Sequence, residues 1–290
     1  MSTAIATDSN SGISQSEARQ LGVFVLPMPV IIDGCEYYEG VDLFPNQFFH
    51  ALAQHRAVST SQPAPGDVTT LWDQILCEYD ALIYIPMSSG LSSSCTTATI
   101  LAQEYEDRVY VVDNHRISVS LKSSVMDALA LREAGCSAKE IQQALNASAF
   151  DSLVYVGVET LEYLRRGGRV TSSAAALSTI LQVKPLLKIE GERLDAYAKV
   201  RGTAGCKKRL LEAMQKAVAQ YADKWDIDIG IASSYQDACA AEHWRDMAAN
   251  QFLQYHTFHD PLTFSISSHV GADAFGMAVS RRLARTKGEI

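Results

Sequence analysis

The stretch ALIYIP, residues 81–86, is almost entirely apolar and ends at a proline. A short apolar run of this kind is typical of a strand buried on both faces of a parallel sheet. VYVVD at residues 109–113 has the same character, and TAIAT at residues 3–7 also reads as a strand. Helical patterns follow these runs, so the order up to about residue 150 is βαβα. This order predicts a Rossmann-like, three-layer α/β domain in which helices cover both faces of a parallel sheet.

A different order of elements begins near residue 153. It predicts hairpins and helices, and hence a second α/β domain with a mixed or antiparallel sheet. We place the boundary at residue 155, which gives an N-terminal domain of residues 1–155 and a C-terminal domain of residues 156–290. The predicted elements of the second part are an apolar run at 153–159, a small-residue helix at 172–182, a hairpin at 185–200, a helix at 203–224 and strands at 228–234 and 265–269.

Composition and charge exclude several classes of protein. The 290 residues carry a net charge of −8 and no basic stripe, which argues against nucleic acid as a partner. No apolar run reaches the 18 or so residues that a membrane span needs, and the start of the chain lacks the features of a signal peptide. The six cysteines are scattered without a C-x-x-C pair, which argues against a zinc site or a disulfide framework. We therefore expect a cytoplasmic protein that is not embedded in a membrane and holds no metal.

Small hydroxyl residues crowd one predicted edge of the first sheet. AVSTSQPAPGD at residues 57–67 precedes a helix, and MSSGLSSSC at residues 87–95 follows the strand at 81–86. In doubly wound sheets, ligands bind outside the carboxyl ends of the strands, where hydroxyls and free backbone N–H groups suit an anion. Serine and threonine are also the preferred N-cap residues, so each cluster taken singly fits a helix cap at least as well.

Three other positions are candidates for chemistry. Cys95 lies near a predicted helix start, where a thiol pKa can be lowered, but a small buried cysteine is the competing interpretation. In RRGGR, residues 165–169, Arg169 lies beyond the glycines and is suited to hold a phosphate or carboxylate, whereas the first two arginines fit the basic last turn of a helix. His269 is predicted at the end of a strand, where it is either structural or placed beside an anion. No nucleotide-binding fingerprint and no G-x-S-x-G motif is present.

Ten motifs occur in order along the chain: ATDSNSGI, VLPMPV, YYEGVDL, STSQPAPGD, SSGLSSSCTTA, VVDN, LEYLRRGGRVTSSAA, VKPLLKIEGERL, KVRG and SHVGADAFG. Together they resemble the bacterial DegV family of fatty-acid-binding proteins over essentially the whole chain. The resemblance implies a two-domain protein that holds one long-chain fatty acid in an apolar tunnel between its domains. It also implies a separate fatty acid kinase that uses ATP to convert the bound acid to an acyl-phosphate for phospholipid synthesis. The binding protein itself would perform no chemistry and need no cofactor.

The resemblance assigns roles to six side chains. Three hydroxyls and a histidine would meet the carboxylate, although Ser61 could instead cap or brace its turn. Two arginines would serve the phosphotransfer step or face the kinase. The matched residues are Thr60, Ser61, Ser92 and His269 for the carboxylate, and Arg169 and Arg201 for the phosphotransfer step and the partner kinase.

The chain departs from the family pattern at three places. Ser93 stands where the family commonly has glycine, Asn114 stands where serine is usual, and GADA at residues 271–274 replaces G-P-G. The carboxylate donors stay in place, so the departures bear on loop geometry at residues 93–95 and 271–273 and on which acid fits.

Physical chemistry agrees with a lipid carrier. A carboxylate at the mouth of a dry tunnel is costly to desolvate unless hydrogen-bond donors meet it. Each buried CH₂ group contributes about 0.8 kcal/mol, so a 16-carbon tail supplies roughly 10 kcal/mol before ordering costs. Two alternatives stay open: an acyl or phosphoryl transferase with Cys95 or Ser92 as its nucleophile, and a lipid-sensing protein that acts through partner contacts.

Overall fold

The structure is a computed structural model that describes residues 2–175 and 183–283. Its strands are β1 (Thr3–Asp8), β2 (Phe24–Leu26), β3 (Pro29–Ile32), β4 (Cys35–Tyr38), β5 (Val58–Thr60), β6 (Ala81–Ile85), β7 (Val109–Val111), β8 (Ser152–Gly157), β9 (Val183–Ile189), β10 (Asp195–Arg201), β11 (Ile227–Ser233), β12 (His256–Pro261) and β13 (Phe275–Arg281). Its α-helices are α1 (Gln15–Leu21), α2 (Pro45–Ala53), α3 (Pro65–Leu76), α4 (Ser94–Ala102), α5 (Val119–Glu133), α6 (Ala138–Ala147), α7 (Glu162–Gly167), α8 (Ser172–Ala175), α9 (Thr203–Ala222), α10 (Ala238–Ala249) and α11 (Phe264–Val270). Of the helix predicted at 172–182, residues 176–182 lie outside the described residues.

The first sheet confirms the parallel α/β arrangement predicted from the apolar runs. Its strand order is β2-β1-β6-β7, and every pair in it is parallel. All five residues of β6 are buried, because α3 and α4 cover one face of the sheet and α5 and α6 cover the other. On the first of these faces, Trp72 packs edge-on against Tyr84.

The second sheet has the order β10-β9-β8-β13-β11-β12 and is mixed. The pair β11–β12 is parallel and the other pairs are antiparallel, including the hairpin of β9 and β10 that the sequence predicts. Helices α9 and α10 cover one face, where Trp244 packs against Phe275. β8 begins at Ser152, so the proposed boundary at residue 155 falls inside a strand of this sheet.

A third, small antiparallel sheet has the order β4-β3-β5. The sequence run at residues 23–32 divides at Pro27 and Pro29, so that β2 joins the first sheet and β3 joins this one. Helix α2 packs on the small sheet, and its Phe48 stacks on Phe264 of α11 with the ring centroids 4.5 Å apart. The small sheet is therefore tied to the C-terminal half of the chain.

The strand predicted at residues 265–269 is wrong, because these residues lie in α11. The alternation of serine with apolar residues resembles a strand, but the helix accommodates the hydroxyls by returning them to main-chain carbonyls. Ser267 donates to the carbonyl of Leu262, and Ser268 donates to the carbonyl of Phe264. His269 consequently lies in the last turn of a short helix, and not between a strand and a helix.

Helix α5 lies between the two large sheets and packs on both. At Gly230 of β11, an added Cβ would lie 2.4 Å from the Cβ of Val119, so the close approach of helix and strand requires glycine. Lys122 of α5 also pairs with Asp260 at 2.8 Å and with Glu17 at 2.7 Å. The face of the second sheet that α9 and α10 leave open is thus buried against the N-terminal half.

Candidate functional site

A mainly apolar cavity lies between the two halves of the chain. It encloses about 890 Å³ of space free of protein atoms, including the part of its mouth that opens to solvent. Its walls come from the loops after β1 and β6, the end of β5, the start of α5, the open face of the second sheet, and α11. The lining residues are Asn10, Met28, Thr60, Ser61, Gln62, Met87, Leu91, Ser92, Ile117, Ser118, Val119, Val154, Val156, Leu164, Arg169, Ile189, Leu194, Ala232, Leu262, Ser265, Ile266, His269, Val270, Gly276 and Met277.

Thr60 and His269 form a hydrogen-bonded pair in the wall of this cavity. The Oγ1 atom of Thr60 lies 2.9 Å from Nε2 of His269. Burial and, to a smaller extent, the positive charge of Arg169 together lower the pKa of His269 to about 4, so the ring is neutral near pH 7. With the proton on Nε2, the ring donates to Thr60 and leaves the threonine O–H free to donate to an anion. The pair can therefore hold a carboxylate without placing a full positive charge on it.

The glycines of the motif RRGGR allow the histidine to approach. A Cβ added to Gly167 would lie 2.4 Å from Nδ1 of His269, so the ring lies directly against the main chain there. Gly168 has a φ of 68° and ends α7 in the left-handed conformation, which glycine adopts without strain. The motif thus shapes the surface on which His269 rests.

Arg169 ties the loop of Ser92 to the end of α7, against which His269 rests. Its Nε atom donates to the carbonyl of Leu91 at 3.2 Å, and Nη1 donates to the carbonyl of Gly167. The guanidinium is therefore held by main-chain carbonyls at the cavity wall, where its charge acts on the histidine. This arrangement gives the site a positive potential while leaving the direct contacts to neutral donors.

Ser92 and Ser61 also line the cavity, as the resemblance implies. The Oγ atom of Ser92 accepts a hydrogen bond from the N–H of Ser94 at 3.2 Å, which leaves its own O–H proton free to donate. Gln62 is a lining residue that sequence reasoning did not single out, and its Oε1 accepts from Thr97 at 3.1 Å. Ser61 does not cap the following helix, since the N-cap residue of α3 is Ala64.

The structure does not bring Arg201 into this site. It ends β10 on the exposed side of the hairpin and is not a lining residue. Cys95 is also outside the cavity: it packs with Trp72 on the opposite face of the first sheet. Burial raises the pKa of its thiol to about 12, so Cys95 stays protonated and unreactive. These surroundings argue against the alternative in which Cys95 is a nucleophile.

The three departures from the family pattern lie outside the cavity lining. Ser93 is exposed before α4, and Asn114 is buried with its amide nitrogen bonded to Ser124. The segment GADA is closed by Ser234, whose Oγ donates to the carbonyl of Gly271 at 2.8 Å and accepts from the N–H of Ala274 at 2.9 Å. The side chain of Ser234, the residue that follows β11, thus fixes the loop after His269.

The described part of the chain lacks two other kinds of feature. Residues 2–175 and 183–283 hold no group of three or more His, Cys, Asp or Glu side chains placed to bind a metal ion. Within the same ranges, no helix combines the length and the apolar character that crossing a membrane requires.

The fold and this cavity define a class of two-part α/β proteins with an apolar binding space between a parallel and a mixed sheet. Residues 2–282 match a family model described as uncharacterised proteins of the DegV family, and the chain belongs to that family. A DegV domain-containing protein of Deinococcus radiodurans is 30% identical over 286 residues, which are 96% of this chain and 98% of that protein.

Solved structures of the same family have the same fold. A DegV family protein from Thermus thermophilus, described as binding fatty acid, is 30% identical with a TM-score of 0.86, and the match covers 97% of this chain and 100% of that one. DegV of Bacillus subtilis, described as a fatty acid binding protein, is 22% identical with a TM-score of 0.84, covering 97% and 99%. At that identity, the second match supports the fold alone.

Proposed function

We propose that this protein binds one long-chain fatty acid, with the carboxylate at Thr60, Ser92 and His269 and the tail in the apolar cavity. The observation that carries the proposal is the Thr60–His269 pair, a neutral donor set in the wall of a mainly apolar cavity. The fatty acid binding described for the Thermus thermophilus relative supports it. The tail supplies most of the affinity, at about 0.8 kcal/mol for each buried CH₂.

The finer part of the proposal is that the bound acid is presented to a separate ATP-dependent fatty acid kinase. This protein then acts as the binding subunit and performs no chemistry itself. Neutral donors suit this role, because a cation bonded directly to the carboxylate would hold the oxygen that must attack phosphorus. Arg169 is near enough to act on that step, and Arg201 is exposed where it can face a partner. The six unpaired cysteines support a cytoplasmic site for this work.

Lipid extraction tests the binding proposal directly. The purified full chain is denatured and extracted, and the extract is examined by mass spectrometry for fatty acid. The delipidated protein is then titrated with palmitate and stearate. The proposal would be overturned if the purified protein contains no fatty acid and the delipidated protein binds neither palmitate nor stearate.

Variants test the assignment of the head-group site. Thr60→Val should weaken fatty acid binding about tenfold or more, because a hydrogen bond to a charged group contributes about 1.5–3 kcal/mol. The matched control is Thr69→Ala, since that exposed hydroxyl bonds only carbonyls of its own helix at 3.2 Å. Equal affinities for the two variants would show that Thr60 does not hold the carboxylate.

The kinase role needs its own measurement. Loaded protein is mixed with ATP and the fatty acid kinase of its source, and acyl-phosphate is assayed. Thr60→Val, Ser92→Ala and His269→Ala should each lower acyl-phosphate formation more than they lower the free energy of unfolding. Tight lipid binding without any phosphorylation would favour the lipid-sensing alternative.

A further inference from the structure

Among the described residues that line the cavity, Asn10 carries a buried polar atom without a hydrogen-bond partner. Asn10 is fully buried and lines the cavity, and its Oδ1 atom has no hydrogen-bond partner among the described residues. Buried amide oxygens are nearly always hydrogen-bonded, because leaving one unpaired is unfavourable. A plain hydrocarbon tail beside Asn10 would leave this oxygen unsatisfied.

The orientation of the amide is fixed by its surroundings. Its nitrogen lies 3.0 Å from Sδ of Met87, and it also donates toward the buried carboxyl of Asp8. Rotating the amide by half a turn would put its oxygen against that carboxyl, where two acceptors would face each other. Asp8 is itself held by the N–H groups of Asn10 at 2.9 Å and Met87 at 2.8 Å. The atom left free of protein partners is therefore an acceptor.

Asn10 belongs to a different wall from the head-group pair. Its carbonyl accepts from the N–H of Ser118 at 2.9 Å, which places it beside the start of α5. Thr60 and His269 come from β5 and α11 instead. Two further hydroxyl side chains line the cavity: Ser118 at the start of α5, and Ser265, one helical turn before His269 on α11. Beyond the Thr60–His269 pair, the cavity thus offers an acceptor and two hydroxyls to a ligand.

We propose that the acyl chain this protein carries bears a hydroxyl group, which donates to Oδ1 of Asn10. The ligand class is a hydroxy fatty acid. This inference rests on the proposed function, since it concerns the same cavity and requires a fatty acid in it.

Binding measurements with positional isomers test the inference. The delipidated full-length protein and Asn10→Leu are titrated with stearate and with 3-, 10- and 12-hydroxystearate. In the wild type, at least one hydroxystearate should bind about tenfold more tightly than stearate. Asn10→Leu is similar in size but lacks the acceptor, so it should lose that advantage and bind stearate and the hydroxystearates with equal affinity. Ser59→Ala, an exposed hydroxyl outside the cavity lining, is the control and should keep the wild-type ranking.

Each outcome bears on one of the two proposals. If the wild type binds stearate as tightly as every hydroxystearate, a water molecule satisfies Asn10 and the inference is wrong. An advantage of equal size in Asn10→Leu would overturn it as well. If neither stearate nor any hydroxystearate binds, the proposed function is wrong, and the inference that rests on it is wrong as well. Should Asn10→Leu not fold, the wild-type ranking and the share of hydroxylated acid in the native lipid extract decide the matter.

Discussion

The hydroxyl of Thr60 lies 2.9 Å from Nε2 of His269, although 209 positions of sequence separate the two residues. Thr60 ends a strand of the small sheet, and His269 lies in the last turn of α11. The pair forms only where these two elements pack together, and Phe264 of α11 stacks on Phe48 of α2, the helix that packs on the small sheet. The proposed head-group site therefore depends on the apolar core behind it as well as on its own polar atoms.

His269 should be neutral in the protein without ligand and should gain affinity for protons when a fatty acid binds. Burial and Arg169 lower its pKa to about 4, and a neighbouring carboxylate would raise the pKa again. Nitrogen chemical shifts of labelled histidine, followed by NMR between pH 4 and 8, report the protonation state. A ring that titrates near 6.5 without ligand, or a pKa that does not move on loading, would contradict this account.

The lowered pKa of His269 makes the free energy of unfolding fall as the pH is lowered. Between pH 6.5 and 4 the unfolded chain binds a proton at His269 and the folded chain does not, so this contribution to stability falls as the pH is lowered. His269→Gln should remove that part of the slope. The free energy of unfolding of both proteins, measured by urea titration at several pH values, checks the difference.

Gly167→Ala should disrupt the site without removing a polar group. The added Cβ would lie 2.4 Å from Nδ1 of His269, so the ring must move away from Thr60. We expect fatty acid binding to weaken about tenfold, the equivalent of 1.4 kcal/mol. Gly66→Ala is the matched control, because nothing lies within 4 Å of a Cβ added there. Unchanged binding in Gly167→Ala would show that the position of the ring is unimportant.

Glu39→Gln should stabilise the protein at alkaline pH. Burial raises the pKa of the Glu39 carboxyl to about 7, even though the N–H of Phe264 favours its ionised form. Since the unfolded carboxyl ionises near 4.5, stability is lost as the pH rises through this window. After a discount for the partial exposure of Glu39, the free energy of unfolding of the variant should exceed that of the wild type by about 2 kcal/mol at pH 8 and by little at pH 4.5.

Denaturant titration at the two pH values measures this gain. Glu78→Gln serves as its control, because it makes the same change of side chain at an exposed position. A gain for Glu39→Gln that is the same at both pH values would mean that ionisation of Glu39 is not the cause.

Cys95 should resist alkylation in the folded protein. Its side chain is buried and burial raises the thiol pKa to about 12, whereas Cys35, Cys77 and Cys239 are exposed. Since the thiolate is the reactive form, iodoacetamide at pH 8 should label the three exposed cysteines far faster than Cys95. Peptide mapping after timed labelling distinguishes them. Rapid labelling of Cys95 would revive the nucleophile alternative.

Local apolar patterns were sufficient to predict most of the fold. ALIYIP forms β6 because a short, wholly apolar run has few other stable places in a protein, and the hairpin of β9 and β10 follows from alternation around a turn. SISSH was mispredicted because its alternation is local, while the choice of helix depends on packing against Phe48 and on a cap from Glu39. Neither partner is close to α11 in sequence.

The residues of the candidate site were harder to predict from local sequence patterns than the fold was. Thr60, Ser92 and Arg169 were named through ordered family motifs, and the structure places all three at the cavity. The tail-binding residues carry no signal of their own, because an apolar side chain that lines a cavity looks the same in sequence as one that fills a core. Asn10 was passed over for a related reason, since only burial reveals that its amide oxygen lacks a partner.

The place of β13 in the second sheet has a consequence for biosynthesis. It pairs with β8 on one side and β11 on the other, yet it follows every other strand of that sheet along the chain. A nascent chain can therefore form two separate strand groups, β8 to β10 and β11 with β12, but cannot join them until β13 has left the ribosome. Because Gly276 of this strand lines the cavity, the wall of the cavity is incomplete until β13 has been added.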